Sequence, residues 1–204
     1  MFPAFFAAAP VITLHDPLAN FLGASAEGLL EYRYEDVVRL CGHSCPTVAS
    51  VFLLTRAALR KLYGETLPTR GDIRVELAGQ EREGVQGVIA AVIGLITGAA
   101  GAGGFRGLAG QFNRRDLLVF QPALAAGSVR LTRLDSGKCV EVVLDLTSVP
   151  GDARMSALLP RCLQGVASQE ERQLFQQLWQ ERVRALLLEY ADDPCVFQLH
   201  EQGA

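Results

Sequence analysis

What the chain has little of is informative. It has no excess of either charge, since 19 Lys and Arg stand against 22 Asp and Glu, a formal net charge of −3. Nucleic-acid binders carry a strongly basic face, and attraction to anionic lipid needs clustered cations; neither is expected here. Cysteine is sparse, and the five residues, Cys41, Cys45, Cys139, Cys162 and Cys195, are an odd number without repeating spacing. That argues against a secreted disulfide scaffold and fits a reducing cytoplasm. There is no internal repeat and no low-complexity linker. The apolar start, Met1 to Pro10, lacks the basic region of a signal peptide and carries an early proline, so it is not read as a targeting segment. It is expected to pack on a partner subunit or to be poorly ordered.

A long hydrophobic run is also missing. Val85 to Gly104 is free of charge and holds Gly94 and Gly98 at a spacing known from paired membrane helices. Its second half is mostly glycine and alanine, and the strongly apolar part, Val88 to Ile96, is too short to cross a bilayer. A buried core helix is the expectation.

What is present suits one sizeable core: half the residues are hydrophobic. The densest chemistry lies in Cys41-Gly-His-Ser-Cys45-Pro46, ahead of an apolar run from Thr47 to Leu62. Proline suits the first position of a helix, where its missing N–H has no partner to lose, and it pushes the preceding residue out of the α region. Cys45 is therefore expected to cap that helix, its sulfur facing free backbone N–H groups and the positive end of the dipole, both of which favour a thiolate.

The remaining pattern predicts a short helix over 35–40 stopped by Gly42, and a helix over 47–63 ended by Gly64. Residues 11–34 read as an entry segment with turns, Asp16-Pro17 being one. Residues 72–78 alternate as a half-buried strand, 80–83 form a charged turn, 85–97 a helix, and 98–110 a glycine-rich loop. That loop is either a connector or a backbone that approaches a ligand or metal closely. It lacks the lysine of a phosphate loop, so nucleotide binding has little support. Strands are expected over 117–121, 128–134 and 139–146, the last two joined through Asp135-Ser-Gly137. After a break at Pro150-Gly-Asp152 come helical residues 155–165, a long helix over 168–190 with Ser168 and Glu171 as a capping box, and a final strand over 195–199. The fold class is α+β: a mixed or antiparallel sheet packed against a long helix and a buried glycine-containing helix, with a helical C-terminal segment. Residues 1–150 form the core, and 151–204 pack on it.

Three accounts of the central turn are open. Cys41, His43 and Cys45 are soft or borderline ligands that suit zinc or another divalent transition metal. No second CxxC pair completes the set, so a further ligand is sought in His15, Glu76, Glu81, Glu83, another subunit or water. Alternatively Cys45 is a nucleophile with His43 as its base. Or the turn is structural, with Cys41 a small buried residue, His43 a satisfied turn histidine and Cys45 only a cap. Cys139, Cys162 and Cys195 sit on apolar patterns and are expected in the core, and His200 is given no role.

The string Gly42-His-Ser-Cys-Pro46 before an apolar helix resembles the GHxCP signature of the FmdE-like family, which takes its name from a component of formylmethanofuran dehydrogenase. Val75-Glu76-Leu77, Val85-Gln86, Thr97-Gly98 and Gly104-Phe-Arg-Gly-Leu108 follow in the family's order, over roughly residues 30–145. The resemblance implies an α+β core, frequent homodimers, and a metal site using His43 and Cys45, with Cys41 as the third ligand expected beside them. The chain departs from the family where many members carry further cysteines: Gln80 to Glu83 and Ala99-Ala100 stand there, and Thr47 replaces a common glycine. The expected function is transition-metal binding, zinc first, in an enzyme or accessory protein of one-carbon or metal-cofactor metabolism. The alternatives are a non-catalytic dimeric binding or assembly module, and a metal-free thiol enzyme. A small-molecule ligand is compatible with each.

Overall fold

The computed structural model describes residues 2–202. At its centre is α3 (Pro46–Tyr63), with α2 (Tyr34–Cys41) leading into it. The first half of α3 carries no charge, so it can be buried all round: Val48 to Thr55 are all buried, and Arg60 and Lys61 wait until the last turn. A helix apolar on every side belongs inside a core. It lies against the sheet on one side and against α2, α4 (Gln86–Thr97) and α6 (Gln169–Leu188) on others.

The main sheet has five strands in the order β4-β3-β5-β6-β7. These are β3 (Ile73–Leu77), β4 (Leu118–Phe120), β5 (Ser128–Arg133), β6 (Cys139–Leu144) and β7 (Phe197–Gln202). β3 runs parallel to β4, with Val75 opposite Leu118, and antiparallel to β5. The sheet is thus mixed, and the architecture is α+β as expected. Ile73, Val75 and Leu77 are fully buried while Arg74 is exposed, the period-2 pattern of a strand with one face on the core. The β5–β6 hairpin turns through Asp135, Ser136 and Gly137, the last at φ 72°. α5 (Met155–Leu163) and α6 follow, and Ser168 and Glu171 form the expected box, Ser168 Oγ accepting from Glu171 N at 3.2 Å.

Four expectations need correction. Residues 11–34 are more than turns. β1 (Ile12–His15) and β2 (Leu29–Tyr32) form a two-stranded antiparallel sheet around the short α1 (Pro17–Phe21). Asp16 caps α1 and Pro17 opens it, by the physics that applies to Cys45 and Pro46. The N-terminal segment folds onto its own chain: Ala4–Ala8 is a 3₁₀ turn, and Phe6 is buried with its ring edge-on to Tyr34 at 4.8 Å. Three cysteines are outside the core, Cys139 and Cys162 half-buried and Cys195 exposed, because each lies at an element end where local apolar pattern does not imply burial. The last strand starts at Phe197, and Cys195 lies in the turn before it. Among the described residues no helix is long and apolar enough to cross a membrane.

Candidate ligand site

The turn from Cys41 to Pro46 is held by three layers of contacts. Gly42 takes φ 74° and ends α2, its N–H donating to Val38 O. Cys45 is extended at the cap of α3, and its Sγ accepts from Val48 N at 3.4 Å. The capping predicted from Pro46 is therefore what the structure shows. Ser44 is anchored to α6, 135 and 136 residues along the chain. Its carbonyl accepts from Trp179 Nε1 at 3.0 Å and Gln180 Nε2 at 3.3 Å, and its hydroxyl donates to Gln180 Oε1 at 3.1 Å. Because that uses the one proton of Ser44, the Tyr34 hydroxyl is the donor in their 2.9 Å contact. Burial pushes the Tyr34 phenol upward, opposed by the Ser44 hydrogen bond and reinforced by Cys45 and Cys41, so it stays a donor.

His43 stands out from this clamp. It is exposed, and its Nδ1 lies 2.9 Å from Cys41 O. A carbonyl can only accept, so Nδ1 carries the proton and Nε2 keeps its lone pair in the neutral ring. Beside it opens a cavity of about 550 Å³. Its walls are the N-terminal Phe2 and Phe6, Val38 of α2, and Phe175 and Trp179 of α6, with His43, Ser44, Gln176 and Gln180 as the polar groups. An apolar hollow with a few convergent polar groups is the form of a small-molecule site. Sequence pattern singled out none of Phe175, Trp179 or Gln180. Their i, i+4 spacing, Phe175 with Trp179 and Gln176 with Gln180, is the signal that marks a second face of α6 beside the apolar one.

The expected ligands are placed as follows. Cys41 is the last residue of α2 and half-buried; burial raises its thiol, and the nearby Cys45 adds in the same direction. Cys45 is buried at the cap, and His43 faces the cavity. Among the described residues no three His, Cys, Asp or Glu side chains form a group that could hold a metal ion. His15 is on β1, Glu76 on β3 lies 4.0 Å from Arg130, and Glu83 accepts from Gln80 N; none lines the cavity.

The glycine-rich loop packs on its own chain. It folds back so that Arg114 N donates to Phe105 O at 2.8 Å and Leu108 pairs with Gln111. Gly107, at φ 85°, packs where a Cβ would overlap the Gln111 carbonyl. The loop delivers Arg114 to a buried charge cluster: Arg114 Nη2 and Arg70 Nη1 bond the two oxygens of Asp16 at 2.9 and 2.8 Å. Gly71, at φ 86°, leaves the space the Arg114 guanidinium fills. Burial alone would raise the Asp16 carboxyl, but hydrogen bonds from Arg70 and Ala19 and both guanidinium charges hold it below its ordinary range.

No protein-family model matches the chain, and no curated protein sequence matches it.

Proposed function

We propose that this protein binds a small molecule in the cavity over the Cys41–Pro46 turn, with aromatic walls holding an apolar body and His43 Nε2 accepting from its one polar donor group. One observation carries the reading: Nδ1 is committed to Cys41 O, so the free nitrogen of the exposed ring is an oriented acceptor at the edge of an apolar hollow. Trp179, the chain's single tryptophan, is in the wall and reports occupancy directly. Titration with the aromatic alcohol 2-naphthol is expected to change its fluorescence saturably, and His43→Ala to weaken binding by about 3–10-fold, one hydrogen bond's worth. No saturable change with native protein, or equal affinity in the variant, would overturn the assignment.

A second reading is favoured by the same tautomer. Metal-ligating histidines donate their other N–H to an outer partner, often a backbone carbonyl, and Cys41 O is in that position. On this reading His43 and Cys45, with Cys41 third, hold zinc or another divalent transition metal in an FmdE-like protein, and a ligand in the cavity or solvent completes the shell. The resemblance of Gly42-His-Ser-Cys-Pro46 supports it; the lack of a preformed three-residue group among the described residues counts against it. Elemental analysis after zinc loading decides: one equivalent, lost in both His43→Ala and Cys45→Ser, is expected from this reading, and a metal-free native chain rejects it. A cytoplasmic location belongs to the same proposal, supported by five free cysteines.

A further inference from the structure

Trp179 has a second side. It also walls a separate cleft of about 320 Å³ between α5, α6 and the start of α3, lined by Pro46, Met155, Leu159, Leu178 and Arg182. The walls are apolar, and the charged groups are unequal. Asp152, the carboxylate in the lining, is fully engaged: Arg154 gives it Nε at 2.9 Å, Nη2 at 2.7 Å and its backbone N–H at 2.8 Å. Arg182 is not matched in that way. Its Nη2 donates to the Val149 carbonyl at 3.2 Å, while its Nε is buried and has no partner among the described residues. Gly151 lies alongside the guanidinium and presents no side chain to cover it.

A guanidinium beside hydrocarbon with no carboxylate partner among the described residues favours an anion in the cleft, since an unpaired charge away from water costs free energy. The planar guanidinium is shaped for a carboxylate. The cleft has room for about ten heavy atoms at the roughly 30 Å³ that a water-sized group takes in a liquid. We propose that this cleft is a binding site for a small monocarboxylate with an apolar tail, its carboxylate on Arg182 and its tail between Met155, Leu159 and Leu178. The proposal stands apart from the His43 cavity and survives its failure.

Calorimetric titration of the full chain with octanoate and with its methyl ester, which has no donor for His43, tests it. Octanoate is expected to bind at least about 10-fold more tightly than the ester, the scale of a hydrogen bond to a charged group. Arg182→Met is expected to remove that preference. Leu159 is 38% exposed at the rim, so Leu159→Trp should block octanoate while leaving the guanidinium and the fold in place. Equal binding of acid and ester, a preference that persists in Arg182→Met, or unaltered binding in Leu159→Trp overturns the site.

Discussion

Asp16 shows how much one side chain can hold together. It caps α1 with the oxygen that also meets Arg114, while its other oxygen takes Arg70. Arg70 in turn donates to the carbonyls of Ile96 and Leu95 at the end of α4. Without the carboxylate, two guanidinium groups face each other, and Arg114 already has a buried Nη1 without a partner among the described residues. Burial depresses the Arg114 guanidinium from its ordinary value, opposed by Asp16 and aided by Arg70. Asp16→Asn is expected to cost about 3–5 kcal/mol, the scale of breaking a buried pair, measurable by urea unfolding. The pH dependence follows from the sign of the shift. A carboxyl lowered in the folded state contributes stability above its unfolded pKa of about 3.9, and that contribution disappears as pH falls through the lower folded value. Native protein should therefore lose stability in that acidic window more steeply than Asp16→Asn; parallel curves would show that Asp16 is not responsible. At this scale the sequence showed Asp16-Pro17 only as a turn signal, because Arg114 lies 98 residues away.

Among the elements, α3 and α4 make a useful contrast. Both begin with long charge-free stretches, but α3 is buried all round and α4 only on the face of Val92, Ile93 and Ile96. Val88 and Ile89 continue that same stripe, half-buried against the core, and Val85 at its start is 51% exposed. A homodimer, implied by the FmdE-like resemblance, is proposed to seat a second copy on the exposed Val85 end of α4, where an apolar side chain left in solvent gains from burial. Val85→Asp tests it with little risk to the fold, because an acidic group at a helix start suits the dipole. Sedimentation should show a native dimer and a variant monomer; a native monomer, or a variant that still dimerises, removes the proposal. The helix itself was legible from its hydrophobic run, but how far a neighbour covers it was not.

At the scale of the whole molecule, the break near Pro150 is not a seam through the core. β7 pairs with β6 along six residues, Phe197 opposite Leu144 and Gln202 opposite Cys139. Val183, Leu186 and Leu187 of α6 are fully buried in the same core as α3. A fragment of residues 1–150 would expose that apolar surface and leave β6 as an open edge, a ready template for aggregation. It is expected to lack a cooperative thermal transition and to aggregate; a soluble fragment that melts cooperatively would establish an independent domain.

Residue order alone determined the local features: the Cys45 cap ahead of Pro46, the end of α2 at Gly42, the alternation of β3, and the box at Ser168. Each is written in residues a few positions apart, where sterics, capping and periodicity act. Tertiary structure decided the rest. The cavity exists because α6 brings Trp179 and Gln180 to Ser44, the second cleft because α5 folds over Arg182, and the glycine loop matters because it carries Arg114 to Asp16. Those meetings join residues up to 136 positions apart, and hydrophobic pattern, which states that a face is buried, does not state against what.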